Sequence, residues 1–143
     1  MINQIEFLTL DFKTLAQTMG ETETKAYELL QNFFNQTSLE LSTHYTFELV
    51  IKQGTKRNVI YVAYAPVPEG TKAVKDVQIV TLKHNNFFKV TLTPEEYLSF
   101  IDGELKKDMD QILKLKGHDI DFTKLFGLIQ KHDDHVDVYM QYK

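Results

Sequence analysis

Tyr45-Thr46-Phe47-Glu48-Leu49-Val50-Ile51 and Asn58-Val59-Ile60-Tyr61-Val62-Ala63-Tyr64 flank the turn-forming Gln53-Gly54-Thr55 and read as the two strands of a hairpin. The first alternates, with Tyr45, Phe47, Leu49 and Ile51 on one face, while the second is apolar on both faces. With the Tyr45 row turned to the helices, Glu48 falls on the opposite side beside Thr46 and Val50. Working towards the N-terminus, a helix follows Gly20, with Glu21 and Glu23 near its positive end and Ala26, Leu29, Leu30, Phe33 and Phe34 as its apolar stripe. Asn35 to Ser38 end it, and Ile5–Leu10 opens the chain as a strand.

The Pro66-Val67-Pro68-Glu69-Gly70 break leads to extended segments at Val77–Lys83 and Phe87–Leu92, joined through His84-Asn85-Asn86. The second helix carries the stronger signals. Thr93 can cap it, Pro94 suits the first helical position, and Glu96 completes a capping box. Tyr97, Phe100, Ile101, Leu105, Met109 and Ile112 form one stripe, and Gly117 after Lys114 and Lys116 supplies the stop. Phe122–Gln130 and Val136–Tyr142 then pair across the polar turn Lys131–His135.

The two parts match in order: extended chain, helix, and two strands joined by a polar turn. The helix starts lie about 72 residues apart and the final strands about 77 apart, the distance of a duplicated supersecondary unit. The expected architecture is α+β: two pseudo-symmetric strand–helix–strand–strand repeats sharing an antiparallel sheet with a central groove. Residues 1–143 form one domain in this scheme, with repeat 1 at about 1–65 and repeat 2 at about 76–143.

Composition narrows the function. The chain of 143 residues is 43% hydrophobic and 25% charged, as folded proteins are. Residues 1–75 hold seven Lys/Arg against eight Asp/Glu and residues 76–143 hold nine against twelve, so neither part is the basic surface that nucleic acid selects. No signal peptide and no apolar run of roughly 18 residues is present, so a cytoplasmic protein without membrane contact is expected. The absence of cysteine removes thiolate nucleophiles and Cys-based metal sites.

The C-terminal pattern resembles the GyrI-like, or bacterial effector-binding, superfamily. The residues that carry the likeness are Phe88–Leu92 running into Thr93-Pro94-Glu95-Glu96-Tyr97, then Phe122–Ile129, then Asp133-Asp134-His135-Val136-Asp137-Val138-Tyr139-Met140. The resemblance implies two strand–helix–strand–strand repeats around a groove that binds small, often cationic or amphipathic ligands over an acidic residue. The glutamate that such proteins usually carry on the strand after the second helix has no counterpart in Lys124-Leu125-Phe126-Gly127-Leu128-Ile129. The chain is also similar to uncharacterised proteins associated with type VII secretion toxin loci, which implies a partner or chaperone of a secreted toxin as the alternative role.

Two constellations stand out. Glu48, Tyr61, Asp137 and Tyr139 are the candidate ligand-binding residues, because a carboxylate among tyrosines suits a cationic or aromatic ligand. His132-Asp133-Asp134-His135 with Asp137, and His118-Asp119 with Asp121, offer imidazole and carboxylate to a metal. Four consecutive polar residues between apolar strands are also what a turn requires, and neighbours in a turn splay apart. His132 and His135 are therefore weak metal candidates, and a metal-dependent enzyme is the weaker alternative function. With no phosphate loop, GxSxG elbow or HExxH, the chain reads as a non-enzymatic binding protein needing no cofactor, monomeric or homodimeric. Its expected ligand is a small molecule or a peptide segment held in the groove.

Overall fold

The computed structural model describes residues 5–83, 85–101 and 127–141. Among these described residues, eight strands and two helices follow in the order β1 (Ile5–Thr9), β2 (Thr14–Gly20), α1 (Glu23–Thr37), β3 (Tyr45–Gln53), β4 (Lys56–Pro66), β5 (Gln78–Thr81), β6 (Asn86–Leu92), α2 (Pro94–Ile101), β7 (Gly127–Lys131) and β8 (Val136–Gln141). All named pairings are antiparallel and the class is α+β. The expected second-helix residues Leu105, Met109, Ile112, Lys114, Lys116 and Gly117 lie outside the described residues, as do His84, His118, Asp119, Asp121 and Phe122–Phe126.

The described residues gather into two compact units. One joins the chain up to Leu10 with the chain from Asn86 onward; the other is Asp11–Asn85.

In the Asp11–Asn85 unit the strand order is β3-β4-β2-β5. The hairpin expected at Gln53-Gly54-Thr55 is present, with Gln53 opposite Lys56 and Gly54 at φ +62°, a conformation glycine adopts without a Cβ clash. β2 is a strand that sequence periodicity does not announce. Thr14, Leu15 and Ala16 are consecutively buried, because β2 lies between β4 and β5 and is covered on both faces.

α1 begins at Thr22, whose side chain accepts from the Lys25 N–H at 3.0 Å. It ends at Ser38 with φ 58°, and the Leu39 N–H donates back to the Phe34 carbonyl at 3.1 Å. Ala26, Leu30, Phe33 and Phe34 are buried against Ala16, Ala63 and Ala65 of the sheet, with Tyr61 packed at the margin. Small sheet residues allow a close approach, and the buried Thr18 hydroxyl donates to the Ala26 carbonyl at 2.6 Å. A Cβ on Gly20 would stand 2.8 Å from the Ala26 nitrogen, so only glycine fits where β2 turns into the helix.

This contact reverses one expectation. Cross-strand partners share a face; Thr46 is opposite Ala63 and Glu48 opposite Tyr61. Glu48 therefore lies on the helix-bearing face, and Tyr45, Phe47 and Leu49 point away from α1. Burial alternates too weakly along β3 for its apolar row to reveal which side the helix takes, since β4 is apolar on both.

In the other unit the order is β1-β6-β8-β7. Ile5, Phe7, Phe88, Val90, Val136, Val138, Met140 and Ile129 share one face by register. The capping box of α2 is complete: the Glu96 N–H donates to Thr93 Oγ1 at 3.1 Å and the Thr93 N–H to Glu96 Oε1 at 3.0 Å. Lys131, in register with Val136, places Nζ 5.4 Å from the Tyr97 ring centroid, so the start of α2 lies on the apolar side. β5 and β6, neighbours in sequence, do not pair as a hairpin: β5 joins β2, and β6 lies between β1 and β8.

Two measurements test these contacts. Leu30→Ala, at a site with no exposure, is expected to cost about 2–5 kcal/mol in chemical denaturation. The backbone hydrogen bond from Thr93 holds the Glu96 carboxyl below its ordinary 4.5. A depressed carboxyl adds stability that is complete above that ordinary value and lost as pH falls through the lower folded one. Because Glu96 is largely solvated the effect is below about 1 kcal/mol, and Glu96→Gln should remove that acid-side loss from the denaturation profile.

Candidate functional site

The face of the β1-β6-β8-β7 sheet opposite its apolar row carries a polar patch by register, beside the buried Phe87 and Leu128. Thr91, Asp137 and Gln130 form one cross-strand row, and Glu6, Lys89, Tyr139 and Leu128 form the next. These side chains hold one another. Thr91 Oγ1 donates to Asp137 Oδ1 at 3.0 Å, Lys89 Nζ lies 3.4 Å from Glu6 Oε2, and the Tyr139 hydroxyl donates to Gln130 Oε1 at 3.3 Å.

Asp137 is the one charged side chain among the buried described residues, with 8% of its surface exposed. Burying a carboxylate is costly unless it is hydrogen-bonded, and Thr91 supplies one such bond to Oδ1. His132 Nε2 lies 3.1 Å from the other oxygen, Oδ2. Partial burial, and secondarily the Asp137 charge, raises the Tyr139 phenol above its ordinary 10.0.

The β7–β8 turn brings two imidazoles onto this face. His132 donates its backbone N–H to the His135 carbonyl at 2.9 Å, which closes a two-residue loop at Asp133-Asp134. The rings stack with centroids 4.4 Å apart at 20°. His135 Nε2 is 3.7 Å from Asp137 Oδ2, and its Nδ1 is 2.6 Å from Asp134 Oδ1. That bond to His135 holds the Asp134 carboxyl below its ordinary 3.8. The donor atoms of His132, His135 and Asp137 all lie within 4.8 Å of one another. The expectation that these side chains splay apart is corrected: residues flanking a two-residue loop are a cross-strand pair, and Asp137 is two positions on along the same strand. The sequence signal was present in the spacing His132-x-x-His135-x-Asp137.

The four expected ligand-binding residues separate into two pairs. Glu48 and Tyr61 are opposite each other in the Asp11–Asn85 unit, on the face that carries α1. Asp137 and Tyr139 are neighbours along one face of β8 in the other unit, turned away from the row that meets Tyr97. A depression of about 300 Å³ that the sequence does not indicate runs beside α1, lined by Tyr27, Gln31, Phe34, Asn35 and Leu41. Tyr27 also meets the ring of His44 at 4.5 Å, and burial lowers the His44 imidazole below its ordinary 6.5.

No protein-family model matches this chain, and no curated protein sequence is similar to it. No helix among the described residues is long and apolar enough to cross a membrane.

Removing the Thr91 hydroxyl tests the bonding of the buried carboxylate. Thr91→Val is expected to cost about 1–3 kcal/mol by chemical denaturation, because Asp137 Oδ1 loses its donor. Ultraviolet pH titration, taken as the difference from Tyr139→Phe, should show a phenol ionising above 10.0. Asp137→Asn should lower that midpoint only in part, since burial is the larger cause.

Proposed function

We propose that the chain is a binding protein of the GyrI-like kind, which holds a small amphipathic cation rather than transforming it. Its two units are duplicates in this scheme, β2-α1-β3-β4 and β6-α2-β7-β8. The connectivity supports this: β4 lies between β3 and β2, and β8 lies between β7 and β6. The observation that carries the functional reading is chemical. Each unit places a carboxylate beside a tyrosine on one sheet face, Glu48 opposite Tyr61 and Asp137 two residues from Tyr139. A negative charge next to an aromatic ring suits a cationic head group, through charge pairing and the ring's negative face.

A second reading, a protein partner, rests on a different observation. Met19 and Leu49 are 44% and 40% exposed and belong to the sheet face turned away from α1. Exposed apolar side chains on one sheet face suit an apolar partner surface.

Titration with a monomeric alkyl-trimethylammonium, followed by amide chemical shifts, separates the two. Saturable binding is expected, with Glu48→Gln weakening the association read at amides of the Asp11–Asn85 unit and Tyr139→Ala that read at amides of β8, each at least about tenfold, the loss of roughly 1.4 kcal/mol. Binding unchanged in both variants sinks the cation reading. The partner reading instead requires a stoichiometric protein recovered from native cytoplasm, and its loss in Met19→Lys with Leu49→Lys.

A further inference from the structure

We propose that His132, His135 and Asp137 form a binding site for a divalent transition-metal ion of the zinc class at the β7–β8 turn. The proposal shares Asp137 with the cation reading above but rests on the two histidines, which that reading does not use.

The donor set is right in kind. Two imidazoles and one carboxylate are ligands that zinc accepts, with a further position left for water or an exogenous ligand. The spacing is also close to what coordination needs. Bonds of ~2.0–2.1 Å at tetrahedral angles separate neighbouring donors by ~3.3 Å. Asp137 Oδ2 stands 3.1 Å from His132 Nε2 and 3.7 Å from His135 Nε2, one distance on each side of that value. The second of these is too long for a hydrogen bond, so the shared Oδ2 does not bind both rings tightly on its own. The three donors lie within 4.8 Å of one another and the rings are stacked, so an ion bound by all three draws them together and turns the two partly exposed imidazoles toward it.

The surroundings orient the donors. His135 turns Nδ1 to Asp134 Oδ1 at 2.6 Å, leaving Nε2 towards Asp137. Thr91 occupies Asp137 Oδ1 and leaves Oδ2 facing the rings. A carboxylate on the distal nitrogen of a metal-binding histidine, and a hydrogen bond on the idle oxygen of a metal-binding carboxylate, are the usual outer contacts of such sites. The rings keep 42% and 38% of their side-chain surface exposed, so an ion can reach them from solvent. The backbone holds the arrangement as well: the His132–His135 hydrogen bond and the Gln130–Asp137 register set all three donors on one face before any ion arrives.

The test uses the full chain without an affinity tag, stripped with chelator and titrated with Zn(II) against a colorimetric competitor. One equivalent should bind with micromolar affinity or tighter. The double variant His132→Gln/His135→Gln should lose that equivalent, while Asp133→Asn should retain it. Thr91→Val, acting only by orienting Asp137, should weaken binding about tenfold. Co(II) gives a second readout: intense visible absorption marks four- or five-coordination by this donor set, and it should vanish in the double variant. Thermal melts by circular dichroism confirm that the double variant folds, as substitution of partly exposed turn residues allows. Absence of stoichiometric Zn(II) binding by the native chain overturns the proposal. So does a bound equivalent that survives in the folded double variant, because the ion would then sit elsewhere.

Discussion

A carboxylate taken out of water must find hydrogen-bond partners, and at Asp137 that requirement ties several parts of one sheet together. Its Oδ1 depends on Thr91 of β6, and its Oδ2 faces His132 at the end of β7. Both partners are in place only if β6, β8 and β7 keep their register. A slip of one residue would send Asp137 to the apolar side with Val90 and Ile129 and bring Val138 to the polar face. The cost of an unbonded buried carboxylate therefore specifies pairing as well as occupying a site. Tyr139 and Gln130 extend the same polar face, and Val136, Val138 and Met140 form its apolar reverse.

In the Asp11–Asn85 unit the deciding constraint is steric. α1 can bring Leu30 and Phe33 to burial because the small Ala16, Ala63 and Ala65 of the sheet let it approach closely. Gly20 permits the tight passage from β2 into the helix, and Thr22 begins it by accepting from Lys25. The face opposite α1 has a different character. Tyr64 is buried there and its phenol is pushed up to about 12, yet Met19 and Leu49 remain open to solvent.

Much of the local structure is legible before any contact is known. The Thr93–Glu96 capping box, the Gly54 turn and the pairing of Val136 onward with the preceding strand rest on residues a few positions apart, so sequence spacing carries them. β2 is not legible, because consecutive residues buried on both faces lose the alternation that marks a half-buried strand. The separate partners of β5 and β6 are hidden for a related reason: contact between distant strands leaves no periodic trace. At the site, the residue types were visible and their convergence was not. His132 and His135 read as turn residues until a two-residue loop makes them a cross-strand pair.

By itself, the sequence determines helix ends, turns and which residues of a strand share a face, since all of these follow from backbone geometry within a few residues. Tertiary structure alone decides which of two faces receives the helix. It places Glu48 beneath the same side as α1 and leaves Phe47 and Leu49 on the other. It also converts Asp137 from one of several acids in an acidic stretch into a buried group with Thr91 and two histidines around it. The physical reason is common to both. Period-two alternation divides a strand into two faces but carries no label for either, and only packing against distant chain supplies that label.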